Sequence, residues 1–399
     1  MHYNPYGTTN INLSCIGFGG MRLDTATSLD ERAALVVSAY EKGINYFDTA
    51  PGYPESEQVF GLAFKTMKAD RDRQPFFVSS KTMRGQPGGV RRDLETSLSR
   101  MGLDSIDFYH LWCVMSLDDY QRRIRGGVLK TLENLKREGL IRHICVSSHM
   151  AGDDIEQMLR DYPFDGVLLG YSAMNAAYRE NGLEAAASLN RGIAVMNPLG
   201  GGIIPQNPER FRFLITQPGE TAVEGALRFL LNDSRISLSL VGFGNEAELQ
   251  EALRAVDGYQ PISDERLAAM KSALSDAMNA LCTGCRYCDS CPEEIPVPKM
   301  MDAYNQLLLV GKNQPMLDRL RWHWGLLPME KHHFNRCTRC GQCEDLCTQH
   351  LPIRERLQEI DAAVARYRST LSKRTVVTHT ARSLLKKVRT RVSGLRRSR

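Results

Sequence analysis

Eight of the eleven cysteines fall in two short runs: Cys282, Cys285, Cys288 and Cys291, then Cys337, Cys340, Cys343 and Cys347. The second run steps by three, three and four residues, the rhythm of ferredoxin loops, in which three thiolates on one tight loop and a remote fourth wrap an iron–sulfur cubane. A structural zinc site takes two separated pairs instead. On that logic Cys337, Cys340 and Cys343 share a 4Fe-4S cluster with Cys291, while Cys282, Cys285 and Cys288 complete theirs with Cys347. Two clusters are expected, with a single cluster as the alternative. The first run departs from ferredoxin spacing in its last step, and Thr348 follows the final cysteine where Pro is usual. Cys15, Cys113 and Cys145 lie on predicted strands and read as buried apolar thiols. The short intervals and an expected reducing compartment argue against disulfides.

A second constellation stands at predicted strand ends: Asp48 in NYFDTA, Tyr53 in PGYPESE, Lys81 in VSSKT and His110 in FYHLW. Taken singly, such a Tyr packs and such an Asp caps a turn. Together they make a proton-transfer site. A phenol ionises near pH ~10, so it needs a nearby cation to act at neutral pH, and Lys81 held by Asp48 supplies one. That Tyr can protonate a carbonyl oxygen. His110 reaches this site from deeper in the fold or is a buried, hydrogen-bonded core histidine.

These residues need a frame that gathers strand ends. β-rich runs begin near Leu13, Ile44, Phe76, Ile106, Ile141, Gly166, Gly192 and Ser237. Between them lie amphipathic stretches such as Asp30 to Lys42, Gly89 to Met101, Leu117 to Glu138 and Glu220 to Asn232. Alternating strands and helices imply parallel pairing, and eight such units fit a closed (β/α)8 TIM barrel of the α/β class. An open dinucleotide fold should carry a glycine fingerprint after its first strand, but Arg22 replaces the third glycine there. In a barrel, the loops after strands seven and eight commonly bind phosphate. Asn197, Leu199 and Gly200 on one, with Gly242, Gly244 and Asn245 on the other, are the candidates; two plain glycine turns are the competing reading.

The 399 residues carry ordinary globular proportions, 42% hydrophobic and 24% charged, which excludes global disorder and fibrous architecture. No apolar run is long enough for a membrane helix, and the start MHYNPYGTTN lacks the blocks of a signal peptide, so a cytoplasmic location is expected. Charge is uneven. Residues 362–399 hold twelve Lys or Arg and no acid, leaving 39 basic against 46 acidic residues before them. Leu384, Leu385, Val388, Val392 and Leu395 recur at helical spacing in that tail, which could touch an acidic partner or a membrane surface. No specific nucleic-acid binding is expected. The organisation expected is a barrel over 1–258, a linker helix (Asp264 to Leu281) and small helical cluster domain over 259–361, with a closing helix from Leu357 to Leu371, and the basic tail over 362–399.

DTAPGYPESE, the Lys of VSSKT, LENLKREGLIRHICVSSH, MNPLGGG and LVGFGNEAEL resemble, in order and spacing over about residues 10–256, the aldo-keto reductase superfamily. The downstream cysteines resemble its branch with a carboxy-terminal 4Fe-4S ferredoxin-type domain. The resemblance implies an oxidoreductase that binds NADP(H) or NAD(H) and transfers hydride to a small-molecule carbonyl substrate, with Tyr53 as general acid supported by Lys81 and Asp48. Ser147 and Ser148 align with the Ser-Asn pair that holds the nicotinamide carboxamide. Trp112 stands at the position of the family's catalytic His, Leu168 at that of a Gln, and Asn197 near that of a stacking Tyr. Those departures keep a second class open: a degenerate barrel whose clusters relay or sense electrons for a redox partner protein.

Overall fold

The structure, a computed structural model, describes residues 1–70, 72–174, 176–273, 280–326 and 336–369. The chain divides into two compact units, Met1–Thr283 and a second beginning at Gly284. The first unit contains strands β1 (Tyr3–Pro5), β2 (Asn12–Ser14), β3 (Ile16–Gly19), β4 (Tyr46–Asp48), β5 (Phe77–Thr82), β6 (Ile106–Val114), β7 (Ile141–Ser148), β8 (Gly166–Gly170), β9 (Gly192–Met196) and β10 (Leu238–Val241). Strands β3 to β10 close a barrel in which β10 returns to β3, with every pairing parallel.

The strand expected near Leu13 is divided. Residues Asn12–Ser14 pair antiparallel with Tyr3–Pro5, and the barrel strand starts at Ile16. The break has a local cause: the Ser14 hydroxyl donates to the Ile16 carbonyl at 2.7 Å while the Ser14 N–H donates to Asn45 Oδ1 at 2.8 Å, diverting the chain. Between β1 and β2 lies Tyr6, fully buried among Tyr46, Phe108, Cys145 and Leu168. A Cβ at Gly166 or Gly192 would come within 2.5 Å of its ring, so these glycines at the starts of β8 and β9 make room for it. Tyr6 therefore fills the barrel at the amino-terminal ends of its strands. Because strand side chains alternate, Asp48, His110 and Ser147 occupy the next inward layer toward the carboxyl ends.

The long stretch expected from Leu117 to Glu138 is two helices, Leu117–Arg125 and Val128–Arg137, broken at Gly126 and Gly127. Two adjacent glycines, the second at φ +82°, stop the first helix and turn the chain into the next.

In the second unit, helices Val297–Val310, Asn313–Asp318 and Gln342–Asp345, a π-helical turn Arg319–His323 and a helix over 353–369 enclose Met300, Met316, Leu320, Ile353 and Ile360. The closing helix expected from Leu357 thus starts four residues earlier, directly after Pro352, which is suited to a helix entrance. The linker helix is described over Asp264–Ala273. The tail from 370 onward, with its apolar positions Leu384 to Leu395, lies outside the described residues. Among the described residues no helix is long and apolar enough to cross a membrane.

Candidate active site and cysteine cavity

Asp48 ends β4 and Lys81 lies near the end of the neighbouring β5, and both are buried. Lys81 Nζ donates to Asp48 Oδ1 at 2.5 Å and to the Thr49 carbonyl at 2.8 Å; the Ser79 hydroxyl donates to the same Asp48 oxygen at 2.8 Å. Burial pulls the Lys81 pKa below its ordinary value, and the Asp48 carboxylate opposes that pull. The result is a dry cation with a fixed counter-ion.

Tyr53 arrives on the loop after β4. The Tyr53 N–H donates to the Ala50 carbonyl at 3.0 Å, and Thr49 and Ser56 join hydroxyls at 2.8 Å beneath the turn. Gly20 is obligatory here, since a Cβ would lie 2.1 Å from the Ser56 hydroxyl oxygen. Buried Arg32 pairs with Glu55 at 2.9 Å, holding the left-handed residue that opens the next helix. The loop so buttressed sets Lys81 Nζ 5.2 Å from the centre of the half-buried Tyr53 ring.

Trp112 meets Tyr53 from β6, ring centres 5.6 Å apart and edge to face, and its indole also packs on Gly52. The register of β6 against β7 shifts between Leu111 and Val114, with Cys113 at φ +56°. Arg123 secures this bulge, donating to the carbonyls of Trp112 (2.6 Å) and Cys113 (3.4 Å) while pairing with Asp119. His110 is fully buried and pairs in register with Lys81. Neither of its ring nitrogens makes a hydrogen bond of normal geometry among the described residues. Burial and the Lys81 charge push its pKa down to about 3, so it is neutral at physiological pH.

Ser147 and Ser148 part company. Ser147 Oγ is buried with no hydrogen bond among the described residues, on the inward face above Cys145. Ser148 is committed to the backbone: its hydroxyl donates to the Val114 carbonyl and accepts from the Met150 N–H, each at 3.2 Å. Leu168 belongs to the apolar core. Asn197 and Gly200 to Gly202 all take positive φ, forming a tight loop after β9, while Leu199 does not. After β10, Asn245 caps the helix Glu246–Asp257, and Glu248 accepts from the Gly244 N–H at 2.8 Å. Gly242 lies under the Arg22 side chain. Arg22 Nη2 in turn donates to the Thr283 carbonyl at 3.1 Å, and that carbonyl covers Gly201, where a Cβ would be only 1.9 Å away. The residue after Cys282 is thereby fastened over the glycine loop. Neither Arg123 nor Thr283 stood out in the sequence, and Arg22 did so only as the residue in place of a third glycine; the paired glycines at 126–127 were the one local cue to the helix break that places Arg123.

In the second unit Cys288, Cys291, Cys337, Cys340 and Cys343 line one cavity, with Ile295 and Leu357 on its apolar wall. Burial, then Glu344 and Cys337, push the Cys343 thiol up to about 11. Cys347 is also raised by burial, with Cys285 close enough to add to the effect. All-thiol donors against an apolar wall suit iron–sulfur ligation, and loading must expel the protons that burial retains.

The Aldo/keto reductase family model matches residues 15–275, and a 4Fe-4S dicluster domain model matches residues 281–351. L-galactose dehydrogenase of Arabidopsis thaliana is 25% identical over 312 residues, covering 68% of this chain and 94% of that protein. The NADH-specific methylglyoxal reductase of Escherichia coli is 28% identical over 231 residues, covering 50% and 68%. An aldo-keto reductase from Bacillus halodurans, solved in its holo form, superposes with a TM-score of 0.60 at 22% identity, covering 69% of this chain and 97% of that one, which speaks for the fold. A closed parallel barrel, a matching family model across most of its length and a dicluster module after it lead to one assignment: the chain belongs to the aldo/keto reductase family and carries a carboxy-terminal 4Fe-4S domain.

Proposed function

We propose that the barrel mouth reduces a small carbonyl compound with a nicotinamide nucleotide, Tyr53 acting as general acid. The observation that carries this reading is the buried Asp48–Lys81 pair beside the Tyr53 ring. When bound, the reduced nicotinamide supplies hydride to the carbonyl carbon. The Tyr53 hydroxyl gives its proton to the carbonyl oxygen, so the product is an alcohol and the phenolate formed is favoured by the Lys81 charge. Asp48 keeps that charge in place without approaching the substrate. Neutral His110 supports the pair by adding no second positive charge. Trp112 walls the site against Tyr53 and Gly52, and its indole, a donor only, does not take the proton-transfer part an imidazole could. The unpartnered Ser147 hydroxyl fits a polar group of the nucleotide, such as its carboxamide.

We infer a preference for NAD(H). The helix entrance after β10 presents Glu246 and Glu248, and Arg254 is engaged by Glu224 at 2.7 Å, an arrangement that disfavours a 2′-phosphate. Of the eight clustered cysteines, Cys291, Cys337, Cys340 and Cys343 hold one cluster, and Cys282, Cys285, Cys288 and Cys347 the other, each passing single electrons to or from a redox partner protein.

A second reading is favoured by two observations: Ser148 is consumed by backbone bonds and Leu168 is core. These remove two contacts to the carboxamide, and a barrel without nucleotide would leave an electron-relay protein. Anaerobic titration with NADH and NADPH separates the two. Saturable binding lost from neither Tyr53→Phe nor wild type, with carbonyl turnover lost only in Tyr53→Phe, supports the enzyme; cluster reduction without nucleotide binding supports the relay.

A further inference from the structure

Thr348 occupies the position after the last cysteine, where a proline has neither a hydroxyl nor an N–H to offer. It is fully buried, and its Oγ1 lies 3.3 Å from Cys285 Sγ. The pair brings together residues 63 apart in sequence. Gln349 Nε2 donates toward the same Oγ1 at 3.4 Å and to the Thr348 carbonyl at 3.2 Å, filling an acceptor site on the hydroxyl. In the free thiol either partner can donate. An iron-bound thiolate has no proton, so the direction is then fixed and the hydroxyl donates to sulfur. The neighbouring Cys347 sulfur takes its own donor, the Leu351 N–H at 3.3 Å, which does not involve Thr348.

We propose that Thr348 is a positioning residue that tunes one cluster, its hydroxyl donating a hydrogen bond to the Cys285 ligand sulfur and thereby raising that cluster's reduction potential. Reduction adds negative charge to the cluster, and a donor at a ligand sulfur stabilises the more negative state; hydrogen bonding to sulfur is one of the levers that set such potentials. The inference rests on the reading that Cys285 ligates a cluster.

The test uses the full chain with both clusters loaded, Thr348→Val, Thr348→Ser and wild type, measured by EPR-monitored redox titration alongside iron and sulfide analysis. The expected result is two cluster transitions, one shifted to lower potential in Thr348→Val and restored in Thr348→Ser, the other unmoved. An unshifted Thr348→Val with full iron content overturns the proposal, as does a Thr348→Ser shift equal to that of Val, which would mark a packing effect. Should Thr348→Val not load, Thr348→Pro removes the same hydroxyl and carries the comparison. Wild-type protein that binds no iron or sulfide would instead defeat the assignment of Cys285 as a ligand, a failure distinct from an unshifted potential.

Discussion

The barrel and the cysteine unit prepare their chemistry in opposite ways. In the barrel, Lys81 is already bonded to Asp48 and Thr49, and Asp48 also takes the Ser79 hydroxyl, so the charged pair is satisfied by the chain itself. In the cysteine unit five thiols line one cavity, and burial raises the Cys343 and Cys347 thiols above their ordinary range, so deprotonation must accompany iron binding. One site is organised by protein donors. The other is built of thiols that iron must join, so metal binding and local folding are coupled there.

The sharpest way to break this contrast is to strip the iron. Hydrogen exchange after anaerobic chelation is expected to show near-complete loss of amide protection around Cys285–Cys291 and Cys337–Cys347, with protection of β4 and β5 retained; equal loss in both regions would contradict it. Next, Tyr53→Phe is expected to lower kcat by roughly 10²- to 10⁴-fold with unchanged nucleotide affinity, as measured by steady-state kinetics and fluorescence titration. Asp48→Asn leaves the buried Lys81 without its counter-ion and is expected to destabilise the barrel by about 3–5 kcal/mol in denaturant unfolding, sparing the cluster spectrum. Gly201→Ala forces a side chain against the Thr283 carbonyl at a left-handed backbone position and is expected to cost about 1–3 kcal/mol.

A further effect is one of pH. His110 titrates near 3 in the folded barrel and near ~6.5 when unfolded, so between those values the unfolded chain binds more protons. The stability contributed by neutral His110 is present above pH ~6.5 and lost progressively as pH falls toward 3. His110→Gln should flatten this part of the stability curve; an unchanged slope would show that His110 is not buried as a neutral ring.

Much of the frame was legible because its signals are local. Each barrel strand after the first begins within about two residues of an expected start, since an apolar β-rich run follows each amphipathic helix. Asp48 and Lys81 could be placed together because both stand at the ends of adjacent parallel strands. What escaped depends on distant partners or on backbone angles. Nothing around Leu13 announces that it pairs with Asn4 or that Tyr6 will fill the barrel, because Gly166 and Gly192 make that space from far along the chain. The contact of Trp112 with Tyr53 arises across a bulge whose φ of +56° falls on a cysteine, a residue with no special tolerance for it. Thr283 over Gly201 and Thr348 against Cys285 are likewise meetings that spacing cannot reveal.

In the proposed function a phenol beside a buried ammonium protonates a carbonyl while hydride arrives from the nucleotide. Anaerobic single-turnover mixing of the NADH-bound protein with a panel of small aldehydes and ketones tests it, following NADH absorbance and alcohol product together. One alcohol is expected per NADH consumed in wild type, with at least a hundredfold slower reaction in Tyr53→Phe, in line with the contribution of a positioned general acid. Equal rates in the two proteins, or NADH consumed with reduced clusters and no alcohol, would contradict it.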